Sequence, residues 1–384
     1  MIKKIIIVTT NRSDFGLLRE LILKLGRDKR IILNLIVSGA HLVSRFGNTL
    51  TEVRNVVKKK FIKINFNYSN PSLYNNTILI SNLIRKFSKI IKLKKPDHII
   101  LFGDRFEVLA FAYASAIMNI NLIHIGGGEK TSGSADDNFR NAISKLAHYH
   151  FVTHLNHKKR LIQMGERKES IFVVGSPGIE MIKKTKIINK KNLFKFLKIN
   201  DLEKKILLIS FYPETASESK NRKDIKNLLN AVKKFLHLQI IFTLPNIDSG
   251  SDLIIKEINK FKKKYDNIKV YYSLGSEKFI SLLNFCEIFI GNSSSGLIEA
   301  PFLGTKVLNI GNRQSNRLKP REIFNCKCIT KDIVVNIRKI LIQKKIKYKK
   351  IYINHEPSSK MKNLIFKFNP NILLKKFQDV NFKI

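Results

Sequence analysis

Three cysteines in 384 residues, Cys286, Cys326 and Cys328, are too few for a disulfide framework. Cys326-x-Cys328 is also too tight for a disulfide or a paired metal site. No HxH, HExxH or acid-rich spacing occurs and the nine histidines are dispersed, so no essential metal is expected. No apolar run approaches the ~20 residues that cross a bilayer. The opening run, Ile5 to Val8, stops at Thr9 and reads as a first β-strand, not a leader. These absences predict a protein of the reducing cytoplasm without a membrane span. Acidic residues are scarce too, 29 against 71 lysines and arginines, for a formal charge of +42. Lysine is spread through every segment beside Ile, Asn and Phe, and no aromatic-interleaved stripe or repeated module occurs. Compositional bias therefore accounts for the excess, and no specific nucleic-acid partner is expected.

With 44% apolar residues, the chain is long enough for two cores. Apolar runs at Ile5–Val8, Ile31–Val37, Asp97–Phe102 and Ile120–Ile125 alternate with stretches of helical spacing such as Leu17, Leu18, Leu21, Ile22 and Leu25. That alternation predicts a doubly wound parallel α/β sheet. Residues 58–76 are polar and irregular, a candidate mobile flap. Gly175-Ser176-Pro177-Gly178 is the best boundary. A second series follows at Ile206–Phe211, Gln239–Thr243, Lys269–Tyr272, Glu287–Ile290 and Val307–Ile310. The expected organisation is a first Rossmann-like domain over 1–178, a second over 179–357 and a tail, 358–384, returning to the first with helices at 360–368 and 372–377. Two such domains facing each other would leave a cleft at their strand ends.

The run Gly291 to Arg313 organises the reading. A strand stops at Gly291, serines 293 to 295 and Gly296 make a small-residue turn, and a helix-like segment follows. Ser293 and Ser294 at a helix N-terminus suit a diphosphate, and Glu299 one turn on suits the hydroxyls of a ribose. A serine-capped helix without a ligand has the same pattern. Other polar residues collect at strand ends: Arg12, His41, Asp104, Arg105, Glu129, Asp136, Asp137 and Arg140, then Asn246 and Arg313. Arginines can clamp a pyrophosphate while carboxylates face a sugar and stabilise an oxocarbenium-like centre or move protons. Each also has a structural alternative: Asp104 as a helix N-cap, Asp136-Asp137 as a capping pair, His41 as a loop hydrogen-bonder. Gly126 to Gly128 is no dinucleotide fingerprint; the missing side chains let a ligand or another backbone come close.

The segments TTNRSDFG, SGAHL, GDRFE, HIGGGEKT, DDNFRNAISKLAHYHF, PNIDSGS and GNSSSGLIEAP…NIGNRQ, in that order, resemble the hydrolysing UDP-N-acetylglucosamine 2-epimerases of sialic-acid and related nonulosonic-acid biosynthesis. The resemblance implies two Rossmann-like domains in a glycosyltransferase-B arrangement and no cofactor. It also implies elimination of UDP from UDP-N-acetylglucosamine to a glycal, then hydration to N-acetylmannosamine. Carried over, Arg12 and Arg105 contact phosphate, Ser293 and Ser294 cradle the diphosphate, Glu299 holds the ribose, and Asn246 and Arg313 complete the nucleotide site. Asp104 and Asp136 match catalytic carboxylates, with Glu129 and Asp137 beside them and His41 and Arg140 on the substrate side. Three departures stand out: Gly126 where many relatives have glutamate, Tyr212 before Pro213 where they have histidine, and Asn141 where histidine is common. These leave open the same reaction on UDP- or GDP-N,N'-diacetylbacillosamine, a glycosyl-transferring relative, or a binding protein without turnover. The expected assembly is a homo-oligomer, dimer or tetramer.

Overall fold

The computed structural model describes residues 2–43, 49–58, 61–65, 73–131, 136–214, 217–245, 250–352, 356–371 and 375–380. It divides into two compact units, Met1–Glu129 with Asp136–Met181 and Tyr352–Ile384, and Lys130–Ala135 with Ile182–Ile351.

In the first unit the order is β1 (Lys3–Thr9), α1 (Arg12–Gly26), β2 (Ile31–Val37), α2 (Thr49–Val57), β3 (Ile62–Lys63), α3 (Leu73–Lys94), β4 (His98–Phe102), α4 (Phe106–Ile117), β5 (Asn121–Ile125), α5 (Asp136–Leu146), β6 (Tyr149–Val152), α6 (Leu155–Gln163), β7 (Ile171–Val173) and α7 (Pro177–Lys184). Its sheet is parallel in the order β3-β2-β1-β4-β5-β6-β7. The chain winds outward from β1 in one direction and then from β4 in the other, so the carboxyl ends of β1 and β4 meet at the switch point where open α/β sheets present ligands. The central strands read as unbroken apolar runs because helices cover both faces. Ile5 and Ile7 point to the side packed by Phe15, Leu18, Leu21 and Ile22 of α1, all buried.

The second unit contains α8 (Lys190–Leu197), β8 (Ile206–Ser210), α9 (Glu218–Val232), β9 (Gln239–Thr243), α10 (Ser251–Lys262), β10 (Ile268–Tyr271), α11 (Gly275–Phe285), β11 (Ile288–Gly291), α12 (Glu299–Leu303), β12 (Lys306–Ile310), β13 (Phe324–Cys326) and α13 (Thr330–Leu341). Its parallel sheet has the order β10-β9-β8-β11-β12-β13, with β8 and β11 at the switch point. Gly291 carries φ +138° there, and a Cβ would run into the carbonyl oxygen of Ser210 on the neighbouring strand, so only glycine lets the two strand ends close together. Among the described residues no helix is long and apolar enough to cross a membrane.

Three sequence expectations need correction, and one strand was not expected. The irregular 58–76 segment contains the edge strand β3 and the start of α3, while 59–60 and 66–72 lie outside the described residues. Strand β13 was unforeseen, being three residues without a readable period. The serine run makes a single 3-10 turn, Ser294–Gly296, and α12 begins only at Glu299, which is therefore its first residue. Serine and glycine are poor helix formers, Pro301 fits only a first turn, and Gly304 at φ +75° ends the helix. Finally, 375–377 are not helical, and 372–374 lie outside the described residues.

The returning tail is anchored by specific contacts. Helix α14 (Pro357–Lys367) packs on α1, the Ser358 amide donates to Glu180 at 3.1 Å, and Lys3 donates to the Phe368 carbonyl at 2.7 Å. Further on, Lys375 reaches Glu166 at 2.5 Å and donates to the Lys145 carbonyl at 2.7 Å, while the Gln378 amide donates to the Gly165 carbonyl at 3.0 Å. These outward-reaching contacts hold the segment irregular. Glu166 also meets His150 at 3.0 Å and Lys145 at 2.8 Å. Burial raises its pKa, but these partners outweigh burial and bring it down to about 2 from 4.5. A carboxylate whose folded pKa is depressed contributes stability above its unfolded value and loses it as the pH falls through the folded one. Denaturant midpoints should therefore drop between pH 4.5 and about 2, and Glu166→Gln should flatten that acid limb. An unchanged limb in the variant would show that Glu166 does not govern it.

Candidate functional site

The turn after β1 is built around Asp14. Asn11 caps α1, accepting from the amides of Ser13 at 2.8 Å and Asp14 at 3.1 Å, and the Asp14 carboxylate answers by accepting from the Asn11 amide. The same carboxylate takes the Thr10 amide and hydroxyl, both at 2.9 Å, and the Thr9 hydroxyl. His41, in the 3-10 turn after β2, is buried with Nε2 at 3.0 Å from Thr9 Oγ1 and Nδ1 at 3.1 Å from Thr49 Oγ1. The single Thr9 proton goes to Asp14, so Nε2 donates to Thr9 and Nδ1 accepts from Thr49. Burial lowers the pKa of His41, which keeps the ring neutral. Of its two possible roles the geometry displays the hydrogen-bonding one. Arg12, the first residue of α1, is presented half-buried by this rigid turn.

At the end of β4, Gly103 adopts φ +87° and leads into Asp104 and Arg105. Arg105 is the backbone N-cap of α4, so Asp104 is not the capping residue. The Arg105 Nε meets both carboxylate oxygens of Glu107 at 3.2 Å, and Glu107 is buried. Asp136 and Asp137 lie in the first turn of α5, where the helix dipole favours carboxylates.

Arg140, 1% exposed, sits among these acids. It donates from Nη2 to Asp104, and from Nη1 to Asp137 and, at 3.1 Å, to the Glu129 carbonyl. Burial opposes its charge, but Asp104, Glu129 and Asp137 outweigh burial and raise its pKa. Expected on the substrate side, Arg140 here joins Asp104, Asp137 and the Glu129 carbonyl through one guanidinium. Gly128 passes so close to the His157 carbonyl that a Cβ would collide with it, and a Cβ on Gly127 would lie 2.8 Å from Ser144 Oγ. The glycine run is thus needed for packing. Gly126, at φ +93°, has only the Gly103 backbone near its Cβ direction.

In the second unit, Asn292 follows β11 and is buried. Its side chain accepts from the Tyr212 amide at 2.7 Å and donates to the Tyr212 carbonyl at 2.8 Å. Its own carbonyl accepts from Arg313 at 3.2 Å and Gln314 at 2.9 Å. The Arg313 guanidinium lies 5.2 Å from the Tyr212 ring centroid, so the tyrosine contributes a cation–π platform for that arginine. Ser293 is buried and accepts from the Ser295 amide at 3.4 Å; Ser294 is half-buried and Glu299 buried at the head of α12. Asn246 lies outside the described residues.

The first unit thus brings together Asp104, Glu129, Asp137 and Arg140, and the second Tyr212 and Arg313. Sequence reasoning missed Asp14, Glu107, His124 and Asn292. The readable signal was a polar residue inside a buried apolar strand, as His124 in Asn121-Leu122-Ile123-His124-Ile125, or just after one, as Asn292 in Ile288-Phe289-Ile290-Gly291-Asn292.

A family profile described as UDP-N-acetylglucosamine 2-epimerase matches residues 23–365. The GDP/UDP-N,N'-diacetylbacillosamine 2-epimerase (hydrolyzing) of Campylobacter jejuni is 38% identical over 327 residues, 84% of each chain. The UDP-N,N'-diacetylbacillosamine 2-epimerase (hydrolyzing) of Legionella pneumophila is 34% identical over 365 residues, 95% of this chain and 96% of that one. Among solved structures, the Methanocaldococcus jannaschii UDP-GlcNAc 2-epimerase in complex with UDP-GlcNAc and UDP superposes with a TM-score of 0.79 at 19% identity, covering 95% of this chain and all of the other. The last likeness concerns the fold; the profile and the two relatives establish that this chain belongs to the UDP-N-acetylglucosamine 2-epimerase family.

Proposed function

We propose that this protein is a hydrolysing 2-epimerase of UDP-linked 2-acetamido sugars. Its preferred donor in this reading is UDP-N,N'-diacetylbacillosamine. The carrying observation is the pair of carboxylates, Asp104 and Asp137, assembled with the Glu129 backbone carbonyl on the buried guanidinium of Arg140 at the carboxyl ends of the first sheet. In the proposed reaction the C2 proton passes to a carboxylate, the C1–O bond breaks, and its electrons leave with UDP, giving a 1,2-unsaturated sugar. Water then returns a hydroxyl to C1 and a proton to the opposite face of C2, which inverts that centre. Asp104, tethered to Arg140, faces the positive charge growing at C1, and Asp136 and Glu129 are assigned the proton transfers.

The relatives' names favour the diacetamido donor, whereas the family description favours UDP-N-acetylglucosamine, the substrate first expected. Comparing kcat/KM on the two donors decides between them. A tenfold or greater preference, about 1.4 kcal/mol, for UDP-N,N'-diacetylbacillosamine supports the first reading. The reverse ratio returns the assignment to N-acetylmannosamine formation. UDP release only on adding an acceptor would indicate a glycosyltransferase, and UDP binding without turnover a binding protein. Ser293, Ser294, Glu299, Arg313 and Arg105 are assigned to the nucleotide. On that assignment Ser294→Ala should weaken UDP by about 1.5–3 kcal/mol by calorimetry, the range for a hydrogen bond to a charged group. Unaltered affinity would remove Ser294 from the phosphate site.

A further inference from the structure

We infer that His124 is a positioning residue for the Asp104 carboxylate, an inference that takes the proposed function as its frame. His124 lies on β5 with no exposure. Nε2 is 2.8 Å from the Gly103 carbonyl oxygen and Nδ1 is 3.0 Å from Ser144 Oγ. A carbonyl only accepts, so Nε2 carries the proton and Nδ1 receives the serine hydroxyl. Burial takes the pKa down to about 3, which leaves a neutral ring with one fixed donor and one fixed acceptor.

Each partner leads to the acidic group. The Gly103 carbonyl belongs to the peptide that enters Asp104, and the Gly103 amide is held by the Ile125 carbonyl at 3.0 Å. Gly103 is thus held on both sides of its Cα, which sits at a φ of +87°. Ser144 lies one helical turn beyond Arg140 on α5, on the same face. The contacts form a closed circuit: His124 to Gly103, on to Asp104, across to Arg140, along α5 to Ser144 and back to His124. Glycine at 127 leaves the space over the histidine–serine pair open, since a Cβ would lie 3.1 Å from His124 Nδ1.

Two substitutions separate the ring nitrogens. Glutamine can return a donor at the Nε2 position, while asparagine reaches only as far as Nδ1. His124→Asn should lower kcat about 100-fold, the scale for a misplaced catalytic group, with the Kd for UDP moving less than about threefold; His124→Gln should restore most of the rate. Equal impairment of the two variants, impairment of neither, or a parallel loss of UDP affinity would overturn the inference. Ser144→Ala, a smaller change, should lower kcat without altering UDP affinity, and supplies the same comparison if His124→Asn fails to fold. Nitrogen-15 shifts of His124 in the full-length protein provide a readout independent of turnover. They should show Nε2 protonated and Nδ1 bare at pH 7, and a proton on Nδ1 would contradict the assignment whatever the activity. Wild-type protein inactive on every donor would refute the functional frame, while these shifts would still judge the geometry.

Discussion

Asp104→Asn is expected to lower the turnover number about 10³-fold while leaving UDP affinity within about threefold, a loss in the range of general acid–base and electrostatic contributions. The amide keeps the shape of the side chain and one oxygen that can accept from Arg140. It removes the negative charge opposite C1, where cleavage of the glycosyl–phosphate bond builds positive charge. Since Asp104 follows β4 in the first unit and Ser293, Ser294 and Arg313 belong to the second, the change should act on chemistry more than on nucleotide affinity. Release of UDP gives kcat, and calorimetry gives Kd. Parallel loss of both would assign Asp104 to binding or folding.

The largest loss of stability should come from Arg140→Met. The native guanidinium is buried and joined to Asp104, Asp137 and the Glu129 carbonyl. Methionine of similar reach removes the cation that joins the two carboxylates, and removing one partner of a buried ion group costs about 3–5 kcal/mol. Both carboxylates retain some exposure, 26% and 28%, so water should hold the loss toward the lower end. Arg140→Lys should fall between, because a single ammonium cannot reach three acceptors set around a planar fork. Denaturant midpoints at constant m-value measure the effect. A loss under about 1 kcal/mol would mean that the acids do not depend on this charge.

The strands were legible because both sheets are covered on both faces, so β1, β4, β5, β8, β9 and β11 appear as apolar runs that end where polar residues begin. Those ends located Asp104, Arg105 and Ser293 at strand termini, which the strand order makes switch points. What the chain did not reveal was the direction in which each side chain points. Arg140 and Asp104 are 36 residues apart, and nothing local tells whether the arginine faces a ligand or its own carboxylates. His41 shares that ambiguity, and only the fold brings Thr9 and Thr49 to either side of its ring. The turn at Ser294–Gly296 failed for another reason: serine caps and serine 3-10 turns have the same composition, and only the distance to Pro301 and Gly304 limits the helix. Residues 375–377 failed because their conformation is imposed by Glu166 and Gly165, far away in the chain.

Turnover of a UDP-linked 2-acetamido donor in heavy water, followed by proton NMR, tests the central claim most directly. Elimination and rehydration across C1 and C2 require the C2 hydrogen to leave and a solvent hydrogen to replace it on the other face. The account predicts free UDP and a sugar inverted at C2 that carries one deuterium there. A product that keeps its original C2 hydrogen and configuration would contradict it.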